Sequence, residues 1–330
     1  MGKFLIIHLC LISDALFLFV GDELNVFTCV LLCACSHSRS TKTRDSCTEF
    51  ARILAKCTQL EDLRFSSTRA GSKGSDIIAS ALDTFLYHGE GLNFNLLRLD
   101  LCDNSFGNKE SYSTLSRALG RTRSLSYLNL RDCDLGDDGV KKVCHALIES
   151  ESALEHLDLS GNCVEKRGSK YIADYIRKYG RKLKILRLED NEMTSRGVEH
   201  IAAAFHGRDG GHGIEEIQLN TCMVGTSGAL ALVNAYGPDG KDLPMLKKIC
   251  LNGNTFAVDV LGRLEDSFNY RLGEMDDNDP DGEADDDLSD DEEDDDDSDE
   301  DDDDDDDEDD PPVDDSVDDL AAAMNKSSLA

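Results

Sequence analysis

The side chains best suited to acid–base, nucleophilic or metal chemistry in this sequence are eight histidines, twelve cysteines and scattered carboxylates. His145, His156 and His200 share no register, and no CxxC pair or second ligand cluster accompanies the cysteines. The GSKG segment at 71–74 contains glycine and lysine but lacks the spacing of a phosphate-binding loop. These patterns argue against a conventional enzyme, predict no cofactor or metal, and favour free thiols in a reducing compartment.

A leucine pattern supplies the frame that positions these side chains. The template LxxLxLxx(N/C) occurs seven times, at intervals of 29 to 36 residues. Its second apolar position is filled by Leu63, Leu99, Leu128, Leu157, Leu186, Ile217 and Ile249. Leucine-rich repeats of about 29 residues have room for a strand, a loop and a helix. The sequence therefore predicts an α/β solenoid over residues 46–275, a horseshoe of ribonuclease-inhibitor-like repeats with a parallel concave sheet and convex helices.

Two further columns follow from this register. Five residues after the second apolar position stand Thr68, Asn104, Cys133, Asn162, Asn191, Cys222 and Asn254. These side chains are expected to turn inward and bond to the turning backbone, which gives both cysteines a structural role. Amphipathic stretches, expected to be helices, start at Gly139, Gly168, Gly197 and Gly228. Asp134, Asp137 and Asp138 precede or begin one of them and are expected to cap it.

The polar strand positions are predicted to face the concave side, because side chains alternate along a strand. They form a mixed-sign surface without an aromatic stripe, and Asp158 is expected to be one of its exposed members. Such a surface suits a protein partner. It lacks the stacking platform of a protein that binds single-stranded nucleic acid, so no nucleic-acid partner is predicted.

Charge separates the C-terminal segment from the rest of the chain. Of 68 acidic residues, 32 lie between Asp276 and Asp319, where there is no Lys or Arg. The sequence therefore predicts a disordered acidic tail over 276–330 that attracts basic partners. Residues 1–45 are atypical and apolar, and three interpretations stay open: a signal or anchor, a degenerate cap, or a non-native start.

Two segments resemble a known family. Residues 65–74 (FSSTRAGSKG) resemble the SSTRxGSKG stretch of plant-type Ran GTPase-activating proteins, and 276–287 (DDNDPDGEADDD) resembles the entry into that family's acidic tail. The resemblance implies a GTPase activator rather than an enzyme, because GTP and Mg²⁺ would be bound by the partner Ran. It further implies a role in nucleocytoplasmic transport, in the cytoplasm and at the nuclear envelope, as a monomer.

Site residues carried over from this resemblance are Arg69, Asp103, Asn104 and Asp132, as GTPase-binding residues on the repeat rim. Asn104 fits the buried ladder as well. The family's catalytic Asn, in an HNN motif one repeat earlier, has no counterpart, since there is no Asn between Asn25 and Asn93. The catalytic residue is therefore unknown, and weaker activation is expected.

Partners implied in this way are Ran in its GTP form, and Ran-binding proteins, importins or other basic proteins for the tail. One alternative is an acidic-tailed repeat protein that acts as a chaperone for histones or other basic proteins. A second is a receptor-like sensor or inhibitor scaffold with a true N-terminal signal.

Overall fold

The computed structural model describes residues 6–12, 15–21, 27–32, 54, 60–66, 71–88, 91–92, 96–206 and 213–279. For the segments before residue 33 and for 87–92 only the backbone is described. Arg69, Thr68 and the acidic tail from residue 280 onward lie outside these residues, so their predicted roles stay predictions.

Seven consecutive parallel strands make up one side of a ten-stranded sheet, out to its edge. They are β4 (Leu60–Ser66), β7 (Arg98–Asp100), β8 (Tyr127–Asn129), β9 (His156–Asp158), β10 (Ile185–Arg187), β11 (Glu216–Gln218) and β12 (Lys248–Cys250). Neighbouring strands pair through the second apolar position of each repeat, from Leu63 to Ile249. These side chains are buried, so the predicted strand register is confirmed.

A helix follows each of these strands. The helices are α1 (Gly71–Leu86), α2 (Lys109–Leu119), α3 (Gly136–Glu149), α4 (Lys166–Tyr179), α5 (Thr194–Phe205), α6 (Thr226–Tyr236) and α7 (Val258–Phe268). Consecutive helices pack on one another and bury apolar residues three and four apart, as Val140, Val143 and Leu147 do in α3. The predicted solenoid of parallel strands alternating with helices is confirmed.

Four helices begin two or three residues before the glycines that the sequence marked as their starts. Those glycines lie in the first turn, against residues of the preceding helix. A Cβ on Gly228 would stand 2.9 Å from the Cα of Ser195 in the preceding helix. The repeated glycine therefore permits close helix packing rather than ending a loop.

Three strands precede β4: β1 (Ile6–Ile12), β2 (Ala15–Gly21) and β3 (Phe27–Leu32). They pair antiparallel with one another, and β3 runs parallel to β4. This pairing covers the edge of β4. Two short strands, β5 (Tyr87–His88) and β6 (Gly91–Leu92), form a separate antiparallel pair. None of the described helices has the length and apolar character needed to cross a bilayer.

The C-terminal end of the solenoid is covered by residues 269–279. Leu272 bridges to Ile249 of the last strand, and the Gly273 N–H donates to the Ile249 carbonyl at 2.8 Å. Asn278 then accepts the Asn254 N–H at 2.7 Å, and the Asp279 N–H donates to the Asn254 carbonyl at 2.9 Å. Residues 276–279, the start of the predicted acidic tail, are therefore bonded to the last repeat.

Candidate functional site

The inward-facing column forms a ladder of hydrogen bonds along the turn after each strand. The Asn162 amide donates to the carbonyls of Leu130 and Leu159 at 2.8 and 2.9 Å, and its oxygen accepts the Cys133 N–H at 3.1 Å. Cys133 occupies the same column, and its thiol donates to the Leu101 carbonyl at 3.3 Å. The predicted inward orientation is confirmed for every described member of the column.

The residue just before the ladder has a left-handed backbone in six consecutive repeats. This column consists of Asp103, Asp132, Gly161, Asp190, Thr221 and Gly253, with φ between 53° and 70°. Glycine adopts this conformation without cost, and Asp tolerates it better than most residues do. Asp103 and Asp132 are exposed there. The left-handed backbone therefore explains why Asp occurs at positions 103 and 132. It also places both carboxylates just after the ends of strands.

Three of the four predicted site residues lie together. Asp103, Asn104 and Asp132 line an open depression of about 440 Å³ at the strand-end rim. Gly71, which belongs to the SSTRAGSKG segment, lines it as well. Arg69 stands two residues before Gly71 in the chain and is outside the described residues. Hereafter the rim means the depression lined by Gly71, Asp103, Ser105, Asp132 and Asp134.

Asn104 belongs to the ladder rather than to the surface. Its side-chain amide donates to the Phe65 carbonyl at 2.8 Å and to the Leu101 carbonyl at 2.7 Å. Only 5% of the residue is exposed. Asn104 therefore has the structural role in the ladder that the sequence analysis also allowed. A partner protein would contact mainly the residues around it.

Asp132 is the best-defined carboxylate of the rim. The Arg131 guanidinium contacts it at 3.1 Å and reaches Asp190 at 3.9 Å, across a repeat that has Gly161 in between. A Cβ on Gly161 would collide with the Asp132 carboxylate. The sequence analysis did not identify Arg131 or Gly161 as part of the site. For Gly161 there was a signal, because it is a glycine in a column that has Asp in three other repeats.

The capping prediction for Asp134, Asp137 and Asp138 is wrong. No side chain caps α3, whose residue before the first turn is Leu135. The Asp137 carboxylate instead accepts the Glu165 N–H of the following repeat at 2.8 Å, and Asp138 pairs with Arg167 at 2.7 Å. These carboxylates therefore join successive repeats, a contact that spacing within one repeat does not reveal.

The concave face has more aromatic character than the sequence suggested. The Arg98 guanidinium lies 3.8 Å from the Tyr127 ring centroid, and the Tyr127 and His156 rings are 4.4 Å apart. Arg98, Tyr127 and His156 each stand one residue before the second apolar position of their repeat. The sequence analysis assigned only the positions after it to the concave face. Burial and then the Arg187 charge lower the pKa of His156, whose Nε2 is buried without a hydrogen-bond partner among the described residues.

Asp158 is not an exposed concave residue, contrary to expectation. It is 4% exposed and accepts the Ser160 N–H at 3.1 Å. Asp100 and Asn129 occupy the same column and make the same bond to Cys102 and Arg131. The side chains of this column therefore close the turn after the strand, and their types are set by local backbone bonding.

The structure describes the side chains of six of the twelve cysteines, and these six are free: Cys102, Cys133, Cys144, Cys163, Cys222 and Cys250. Burial raises the pKa of Cys144 to about 12 and that of Cys102 to about 11, and it raises the pKa of Cys133 as well. Such thiols are protonated at neutral pH and are poor nucleophiles or ligands. Over the described residues no group of three or more His, Cys, Asp or Glu side chains could hold a metal ion.

Comparison with known proteins agrees with this architecture. A leucine-rich-repeat family model matches residues 123–144, 152–173 and 181–202. The chain is 30% identical over 161 residues to RAN GTPase-activating protein 2 of Arabidopsis thaliana, which covers 48% of this chain and 27% of that protein.

Other relatives have different names. The chain is 30% identical to NACHT, LRR and PYD domains-containing protein 14 of Mus musculus, over 49% of this chain and 15% of that protein. It is 24% identical to the ribonuclease inhibitor of Sus scrofa, over 62% of this chain and 48% of the inhibitor. The chain thus spans less than half the length of these relatives. What they share with it is the repeat.

Proposed function

We propose, from the premise that this chain is a leucine-rich-repeat protein, that it binds the small GTPase Ran in its GTP form through the rim and promotes GTP hydrolysis. Repeat solenoids of this kind are in general binding scaffolds without chemistry of their own. The activator role, in nucleocytoplasmic transport, is supported by the similarity to a plant Ran GTPase-activating protein.

One observation carries the proposal. Gly71, from the segment that resembles the family, lies in the same depression as Asp103 and Asp132, which are 32 and 61 residues further along the chain. Stacking of the repeats alone brings these positions together. The rim therefore presents three exposed carboxylates, those of Asp103, Asp132 and Asp134, next to Gly71.

The rim suits recognition of basic side chains. Asp103 and Asp132 extend from strand ends whose backbone is fixed by the ladder, so little freedom is lost when they bind. Arg131 orients the Asp132 carboxylate from one side and leaves it half exposed. Nucleotide, Mg²⁺ and attacking water belong to the GTPase in this proposal, and the chain contributes position and charge.

The test measures binding of the full chain to Ran loaded with a non-hydrolysable GTP analogue or with GDP. Preferential binding of the GTP form is expected. Arg69→Ala should weaken it by about 1–3 kcal/mol, the range for a charge-assisted contact buried on binding. Asp132→Asn should weaken it about tenfold, while Asp190→Asn, in the same backbone column two repeats away, should change it less than threefold.

Hydrolysis is measured with the same components. Because the family's HNN Asn has no counterpart here, we expect stimulation to be weaker than binding suggests. The proposal fails if no complex with Ran forms at chain concentrations of tens of micromolar. Tight binding of histones in its place would support the chaperone alternative.

A further inference from the structure

The concave face arranges its charges in two layers. In β4 and β7–β12 and the residues just after them, five basic and five acidic side chains point to this face. The basic residues are Arg64, Arg98, Arg131, Arg187 and Lys248, and the acidic residues are Asp62, Asp100, Asp158, Glu189 and Glu216. None of these five carboxylates belongs to an exposed residue, whereas Arg64, Arg131 and Lys248 are exposed. The formal charges cancel, but the cations lie outermost.

The layering has a cause in the fold. Asp100 and Asp158 are drawn down because they accept backbone N–H groups of the turn after their strands. Asp62 lies beneath two guanidinium groups, with 18% of its side chain exposed against 46% for Arg64 and 42% for Arg98. The side chain of Asp158 is 5% exposed and that of Arg187 above it 34%. A molecule that approaches this face therefore meets guanidinium donors first.

The anchored start of the acidic segment lies beside this face. Asp277 exchanges hydrogen bonds with Asn252, which follows the last strand, at 2.7 and 2.9 Å. The Asp279 N–H then bonds to the Asn254 carbonyl. The chain continues from this corner into residues 280–319, which contain 29 carboxylates and no Lys or Arg.

The length of that segment matches the width of the sheet. Adjacent strands are about 4.8 Å apart, so β4 lies about 29 Å from β12. A random chain of about 40 residues has a root-mean-square span of about 35 Å, and like charges extend such a chain further. The tether also gives the segment a millimolar effective concentration at the concave face. The length and the negative charge of residues 280–319 thus both favour this segment as the occupant of the concave face.

We propose that residues 280–319 of this chain lie across its own concave face, held by the outer layer of guanidinium groups around Arg64, Arg98 and Arg187. The contact is electrostatic and exchangeable, so a partner that uses this face must displace the segment. This inference is independent of the proposed activity toward Ran, since the rim lies at the strand ends and not on the strands.

The test uses the full chain with a protease site inserted between Ala284 and Asp285, purified intact and then cut. A fluorescent peptide of residues 285–319 is titrated with the cut and the uncut protein at about 50 mM salt. We expect the cut protein to bind the peptide at least tenfold more tightly, because the uncut chain covers its own face. Raising salt to about 500 mM should abolish binding by the cut protein.

Matched variants locate the site. Arg64→Gln together with Arg98→Gln should weaken peptide binding by the cut protein at least tenfold. This pair removes the ion-pair partners of the partly exposed Asp62 and the guanidinium that stacks on Tyr127. Lys178→Gln with Lys182→Gln, on the exposed end of α4 and the turn after it, should change it less than threefold. An unchanged thermal midpoint shows that each variant is folded.

Three outcomes would overturn the proposal. Equal affinity of the cut and uncut protein would mean that the segment does not occupy the face. If only the Lys178→Gln and Lys182→Gln variant loses peptide binding, the segment binds a different surface. If the uncut chain blocks peptide binding more strongly as its own concentration rises, the segment binds the concave face of a neighbouring copy instead.

Discussion

Replacing Asn162 by alanine should destabilise the solenoid more than loss of one side chain usually does. Asn162 is fully buried, and its amide bonds to three backbone carbonyls. Its oxygen accepts the N–H groups of Cys133 and Leu135 in the preceding repeat, at 3.1 and 3.3 Å. Alanine would leave these donors without an acceptor inside the core.

The size of the effect follows from the number of unpaired groups. A buried donor or acceptor that loses its partner costs about 1–3 kcal/mol. Two N–H groups and the Leu130 carbonyl are affected, and partial relaxation of the turn brings the expected total to about 3–5 kcal/mol. Cysteine is the matched control, because Cys133 and Cys222 fill the same column and donate to equivalent carbonyls. Asn162→Cys should cost at least about 1 kcal/mol less than Asn162→Ala.

The assay is urea unfolding followed by circular dichroism, with the free energy compared among the wild type and the two variants. Cys163→Ala, at the exposed neighbouring position, serves as a local control and should change stability by less than about 0.5 kcal/mol. Equal losses for alanine and cysteine at position 162 would show that the ladder bonds do not set the cost. So would a loss below about 1 kcal/mol for alanine.

Other predictions concern the end of the solenoid, the strand register and the thiols. At about 500 mM salt, where charge contacts with the concave face are screened, deleting 280–330 should leave the thermal midpoint unchanged. Deleting 276–330 should lower it by several degrees, because the second deletion removes the bonds to the last repeat; equal midpoints would deny a capping role. Leu159→Ala should cost about 2–5 kcal/mol in urea unfolding, and Asp158→Ala about 1–3 kcal/mol, because the acid is buried and bonded; a negligible cost for the acid would contradict its burial. With a thiol reagent at pH 8, peptide mapping should find Cys163 modified in the native protein, and the buried Cys133, Cys144, Cys222 and Cys250 only after unfolding.

The rim shows how far sequence reasoning reached into the candidate site. Column arithmetic placed Asp103 and Asp132 at equivalent positions of neighbouring repeats, and the structure finds them in one depression. The repeat spacing gave no sign that Gly71 lies beside Asp103 and Asp132, because its position depends on where the first helix begins. Arg131 was likewise missed, because its reach to Asp190 passes over a glycine that only the stacked structure brings beneath it.

The sequence by itself determined the repeat. Three apolar columns and a polar one can be satisfied together only if every copy adopts the same strand, turn and helix. The strand register, the inward Asn side chains and the presence of a helix after each strand therefore follow from spacing, although four helices begin earlier than predicted. The tertiary structure alone decided which polar residues stay exposed. Asp158 and Asp100 look like surface residues in the pattern, yet the turn draws them down to the backbone. Asn278 looks like part of an acidic tail, yet it completes the ladder. Both outcomes depend on backbone groups that need a partner, and such needs appear only once the chain is folded.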